Sequence, residues 1–346
     1  MSRVIAPLLL VVLALLPLWL KDPYLLNALI ITGIFTLCAM SLNLLLGFTG
    51  QLSLGHVAFF GIGAYVSALT ALGFDVELPF GLVLVVEPGS PLLGFVLAVL
   101  VTALCGYLIG RLAFRVRGAY FVIVTISFAE VVRLVALNWV DLTQGPLALT
   151  SIPNMVLPLP GLGETVLRTK MQNYYLVLGM AVVGYLVVAQ LVTSRFGRAM
   201  RGLQQNESLA LSLGINATRT LTVAATLSAA MAGAAGSLYA HYLRIIDPDV
   251  FLFSYTVTMV IMVVAGGKGT LAGPLVGGLI FGLLPVALRP VMAPEAQWIV
   301  YGGVLIAILF LMPQGIVPAL DALTRRLRRA RPAKSAPGAV EAGANP

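Results

Sequence analysis

Charge is what this chain has least of. Only 10% of its 346 residues are Asp, Glu, Lys or Arg, against about 25% in soluble proteins. So few polar groups cannot coat a water-facing globule of this size, which excludes a soluble domain. Cysteine is almost missing as well. Cys38 and Cys105 both lie in apolar runs, with no CxxC pair and no disulfide framework. The two histidines, His56 and His241, are too few for a metal site. No dinucleotide, protease or metal-hydrolase motif is present, so neither an enzyme nor a cofactor is expected. The run GGKGT (266–270) is not a nucleotide loop: Lys268 is followed by Gly269, and Met262 stands where a Walker glycine is required. The net charge is +8, but no basic stripe interleaved with aromatics occurs. Nucleic acid is therefore not an expected partner.

What the chain does have is hydrocarbon. Hydrophobic residues make up 60% of it, and apolar stretches long enough to cross ~30 Å recur along its length. The expected fold is an all-α, polytopic bundle of about ten spans: 4–20, 24–46, 54–73, 91–110, 118–140, 173–193, 217–240, 251–265, 271–289 and 297–313. The first resembles a signal-peptide core but lacks a cleavage site, so it reads as a retained helix. The stretch 251–265 is short and polar enough (Ser254, Thr256, Thr258) to be tilted or broken. Ten crossings put both termini on one side. That side then collects 15 of the 21 basic residues, and the opposite side takes nine of the 13 acids. Positive charge marks the cytoplasm, so both termini are expected inside an inner membrane.

The loops divide by side. Residues 74–90 and 141–172 are Pro/Gly-rich outer loops, suited either to capping a pathway or simply to joining helices. Residues 1–320 form the expected membrane domain. From 321 to 346 the chain becomes a basic, disordered tail expected near anionic lipid. The longest inner loop, 194–216, alternates leucines with Arg201, Gln204, Gln205 and Glu207, which predicts a short helix from Met200 to Leu213 stopped by Gly214. Such a helix fits a groove on a cytosolic partner; lying passively on headgroups is the other reading.

Several runs carry a resemblance. NLLLGFTGQLSLGHVAFFGIGAY (43–65), the run from Gly197 to Tyr242 and MVVAGGKGTLAGPLVGG (262–278) resemble the permeases for branched-chain amino acids, LivM type. Glu207, Ala210 and Gly214 resemble, loosely, the coupling loop of ATP-binding-cassette importer permeases, with Arg201 just upstream. The resemblance implies a permease subunit that passes leucine, isoleucine or valine, with urea or short amides as the alternative substrates. It implies partners too: ATP-binding subunits, a second related permease and a periplasmic substrate-binding protein. An ion-coupled carrier is the reading from a different class; such a carrier usually needs intramembrane carboxylates or broken helices that coordinate the ion, and only Glu130 qualifies, with an arginine, Arg133, beside it.

Individual residues stay open between two roles. Asn43, Gln51, Ser53 and His56 flank a glycine-rich break and either line a watery cavity or satisfy helix ends. Glu130, ~18 Å into its span, either meets solute or pairs with Arg133 to fix packing; Ser127 lies beside it. Gly269, Gly273 and Gly277 form a small-residue stripe expected to pack helices closely. Glycine-rich breaks at 47–55 and 266–273 hint at an internal repeat. A cysteine placed within 194–216 is expected to react with an impermeant thiol reagent only from the cytoplasmic face. Labelling of that cysteine from outside intact cells contradicts the orientation.

Overall fold

The computed structural model describes residues 11, 13–17, 22–78, 82–116, 118–159 and 163–329. Its main helices are α1 (Pro23–Asn43), α2 (Val57–Leu72), α3 (Pro91–Ala113), α4 (Ala119–Asn138), α5 (Lys170–Thr193), α6 (Arg195–Gln205), α7 (Glu207–Ser212), α8 (Ala217–Leu243), α9 (Phe253–Gly266), α10 (Gly273–Leu288), α11 (Pro294–Leu311) and α12 (Ile316–Arg329). Starts are marked chemically. The Asp22 side chain accepts from Tyr24 N, with Pro23 in the first turn of α1. Thr169 and Gln172 close a capping box on α5. Asn216 caps α8 by accepting from Arg219 N at 2.9 Å.

Six helices among the described residues are long and apolar enough to cross a membrane. They are α1 with its extension to Thr49, α3, α4, α5, α8, and a run from Ala296 to Thr324 that passes the bend after α11. Three more are apolar but short: α2 with 16 residues, α9 with 14 and α10 with 16. At 1.5 Å per residue these reach only about 21–24 Å, less than the hydrocarbon thickness. The expected tenfold repetition of full spans is therefore coarser than the structure. Most of the expected span 4–20 falls outside the described residues. Its described part packs beside α5, where Tyr174 Oη donates to Leu13 O at 2.6 Å.

Helices α1 and α8 are apolar nearly all round and buried over most of their length, while α3, α4 and α5 leave most of their surface exposed. The central layer is α2, α8 and α3. Lipid offers no hydrophobic drive between helices, so close van der Waals fit must hold them. Small residues supply it. On α3 the buried face is Gly94, Ala98, Thr102, Gly106 and Gly110, one every four residues. A Cβ on Gly233 of α8 would overlap Thr102, and one on Gly63 of α2 would overlap the Gly233 backbone. Gly236 meets the Phe60 carbonyl in the same way.

Two expectations are corrected. The fold is not purely helical: β1 (Phe74–Leu78) pairs antiparallel with β2 (Leu82–Val86), and β4 (Val156–Leu159) with β5 (Gly163–Val166). A third pair joins β3 (Leu149–Thr150) to β6 (Ile245–Ile246). These strands lie in the stretches 74–90 and 141–172 or bind them to the end of α8, where water or protein can satisfy the backbone. The second correction concerns the tail. Residues up to Arg329 are helical, so disorder does not begin at 321; residues 330–346 lie outside the described set. Gly233→Leu is expected to lower stability by about 1–3 kcal/mol through overpacking, read as a lower unfolding temperature in detergent. An unchanged melting profile contradicts the central packing.

Candidate functional site

The loop between α5 and α8 folds as two helices rather than the single one expected from Met200 to Leu213. Gly197 permits the sharp entry, since a Cβ there would overlap the Val192 carbonyl. Helix α6 buries Gly197, Met200 and Leu203 and exposes Arg195, Arg198 and Arg201. Asn206 then breaks the run: its backbone is extended and its side chain caps α7, accepting from Leu209 N at 3.0 Å. Gly214, at φ +82°, ends α7, and Ile215 N returns to Ala210 O at 3.1 Å in a Schellman-type closure. Ala210 is buried, whereas Leu209 and Leu213 are 58% and 73% exposed. Glu207 begins α7 and is half-buried.

The glycine-rich break after α1 is not a plain turn. The chain winds as a π-helix over Leu44–Thr49, turns at Gly50 (φ +76°), then runs without regular structure until α2 starts at Val57. Non-helical backbone among membrane helices is tolerated where protein covers it or water reaches it, and much of this segment is covered: Ser53 and Gly55 are buried, while Gly50 is exposed. Leu54 N donates to Thr125 Oγ1 at 3.3 Å, and Gly55 lies directly under the Thr125 carbonyl of α4. Asn43 is buried and reaches the second break: its Nδ2 donates to Thr270 O at 2.9 Å, and its Oδ1 accepts from Gly269 N at 3.0 Å. The breaks expected from the sequence as possible repeats therefore meet in space.

The other sequence-predicted residues fall in two groups. Ser53 and His56 are buried in the bundle, and Gln51 is half-buried. His56 Nε2 lies 2.7 Å from Ser41 Oγ. Ser41 Oγ also lies 2.6 Å from Cys38 O, so the hydroxyl sits between the imidazole and that carbonyl. Ser228 of α8 in turn donates to Ser41 O. This polar node joins α1, α2 and α8. His241 performs a matching task near the far end of α8, with its Nδ1 2.8 Å from Pro153 O and its Nε2 2.8 Å from Ser67 Oγ. Ser127 and Glu130 lie apart from these, on the exposed face of α4. Glu130 accepts a forked pair from Arg133: Nη2 to Oε1 at 2.8 Å and Nε to both oxygens at 3.1 Å. The side chains remain 52% and 26% exposed. An ion pair near the middle of a membrane helix is costly against hydrocarbon, so this face requires a polar neighbour.

The glycine stripe divides as well. Gly273 and Gly277 lie on α10, where Gly277 packs against the Met262 carbonyl of α9, while Gly269 sits before the helix at φ +72° in the turn against Gly47. Lys268 is exposed in that turn, between two helices and with no strand ahead of it. Sequence reasoning missed the stripe on α3, although its four-residue spacing was legible. It also missed the role of Gln204, whose Nε2 donates to Gly47 O at 2.8 Å.

The structure is thus a bundle of apolar helices that carries an amphipathic helix pair, α6–α7, and an exposed ion pair on α4. The chain belongs to the family described as "Branched-chain amino acid transport system / permease component", which matches residues 24–309. It is 30% identical over 315 residues to the high-affinity branched-chain amino acid transport system permease protein LivM of Salmonella typhimurium, covering 83% of this chain and 68% of that one. It is 29% identical to LivH of Escherichia coli K12, covering 84% and 93%, and 29% identical to BraD of Pseudomonas aeruginosa, covering 85% and 94%. No solved structure matches. If the ionic face of α4 meets water or a polar partner, Ser127→Cys should react with a water-soluble maleimide about tenfold faster than Leu108→Cys, on the exposed apolar face of α3, because a thiolate forms poorly in lipid. Equal, slow labelling of both contradicts it.

Proposed function

We propose that this chain is the permease subunit of an ATP-binding-cassette importer, forming part of the inner-membrane pathway for leucine, isoleucine and valine. Membership in the permease family across 24–309 carries this reading, and the named relatives handle branched-chain amino acids. Urea and short amides have no such support. An ion-driven carrier is disfavoured because its candidate carboxylate, Glu130, is already held by Arg133.

Energy then comes from separate ATP-binding subunits. Their docking surface is α6–α7 with Arg201, Glu207, Ala210 and Gly214. Three large apolar side chains, Leu209, Leu211 and Leu213, stand exposed there beside a face of arginines. A helix presented this way suits insertion into a groove, with apolar anchors buried and charges at the rim. A second related permease faces α4, so that Ser127 and Glu130 border the path between the two subunits. A periplasmic binding protein delivers the solute on the side of the β-ribbons, and lipid surrounds α3, α5 and α11. Asn43, Gln51, Ser53 and His56 act at the inner end of the path; the buried members shape it through helix ends and hydrogen bonds.

The test is reconstitution. Vesicles holding the permease pair and the binding protein should accumulate leucine only when the ATP-binding subunits and ATP are present. Gly214→Pro, which cannot adopt φ +82°, should abolish uptake while the protein still inserts, and Glu207→Lys should do the same. Accumulation without the ATP-binding subunits sinks the class. Normal uptake and normal subunit attachment in both variants sink the docking surface.

A further inference from the structure

The two glycine-rich breaks are more than 200 residues apart and touch backbone to backbone. A Cβ on Gly47 would overlap both Gly269 N and the Asn43 side chain, and one on Gly269 would come within 2.7 Å of Gly47 O. Asn43 bridges the contact with its two bonds to Gly269 and Thr270. Thr270 closes its own turn, donating to Gly267 O at 2.7 Å and accepting from Gly273 N at 3.0 Å. Behind that turn, Gly267 packs against Pro318 at the start of α12, and Gly315 against Gly267.

Helix α6 grips this junction from the other side. Gln204 Nε2 donates to Gly47 O, a carbonyl at the end of the helical ladder where acceptors lack intrahelical partners. One turn earlier the Arg201 guanidinium lies over the Phe48 ring, 5.8 Å from its centroid. Residues 201 and 204 share one helix face, so a single face of α6 holds two successive residues of the π segment. π-helices are rare and concentrate at functional sites. The glycines at the contact have no rotamers to absorb a displacement. The freedom lies instead at the positive-φ joints Gly50, Gly267 and Gly269.

We propose that Gln204 and Asn43 are positioning residues that make the two inner glycine turns move with α6, so that these turns form the cytoplasmic gate of the pathway. This rests on the reading of α6–α7 as the ATPase-driven element. A push on α6 passes through Gln204 to Gly47 and through Asn43 to the 267–272 turn. The two sides of the gate then shift together.

The full transporter, reconstituted in vesicles, tests this by measuring leucine taken up per ATP hydrolysed. Gln204 is exposed, so Gln204→Leu should insert and still bind the ATP-binding subunits. Uptake per ATP should fall about threefold to tenfold, the scale of one lost hydrogen bond, with KM for leucine unchanged. Gln204→Lys keeps a donor and should restore most of the ratio. Asn43→Leu should give the same loss, and the double variant should be no worse than Asn43→Leu alone, because both residues act in one path. If the Asn43 variant fails to insert, the Gln204 pair decides alone. A wild-type ratio in Gln204→Leu overturns the proposal, as does a Lys variant no better than Leu. Loss of subunit attachment in Gln204→Leu also overturns it, since the residue would then belong to the docking surface. Failure of the docking reading itself shows separately, as normal uptake and normal attachment in both Gly214→Pro and Glu207→Lys.

Discussion

The structure depends on one constraint: backbone that leaves the helical ladder among membrane helices must be covered by other protein groups or line a watery cavity. Among the described residues, two such segments, after α1 and after α9, lie against each other. Each break supplies part of the cover for the other. Asn43 donates to one carbonyl and accepts from one amide of the second turn, and bare glycine backbone lets the two segments close to contact. Helices α2, α9 and α10, which border these two segments, are only 14–16 residues long.

The same constraint places the polar side chains. Ser41, His56 and Ser228 form one buried node, and Ser67, Ser237 and His241 another. Each node ties α2 to α8, the first by way of Ser41 on α1, and together they hold the central layer that small residues bring into contact. The ionic pair on α4 is the exception. It is satisfied within its own helix yet left exposed, so α4 is a face that the subunit's own packing does not cover. The amphipathic pair α6–α7 is the second such face. Its inward side seats on the bundle and its outward side carries leucines into water.

Much of this was legible in the chain and some was not. Apolar run length located most of the helices, because hydropathy and helix rise are local quantities. The stop at Gly214 was legible for the same reason: an αL residue after a leucine-rich run ends a helix. The break at Asn206 was missed because its cap competes with helix continuation by only a small margin, and the run around it reads as unbroken. The strands in the long loops were missed because Pro/Gly-rich stretches carry weak alternation.

By itself, then, the order of residues determined the membrane class, most of the apolar helices and the family. Those follow from composition, apolar run length and motif, each readable within a few turns of chain. Only the tertiary structure decided that Asn43 meets Gly269, that Gln204 meets Gly47, that His56 is spent on Ser41, and that Glu130 is exposed while Ser53 is buried. These are contacts between segments distant in sequence or matters of which helix face is covered. Local pattern cannot encode them, because they depend on how the apolar helices pack once every one of them is already in the membrane.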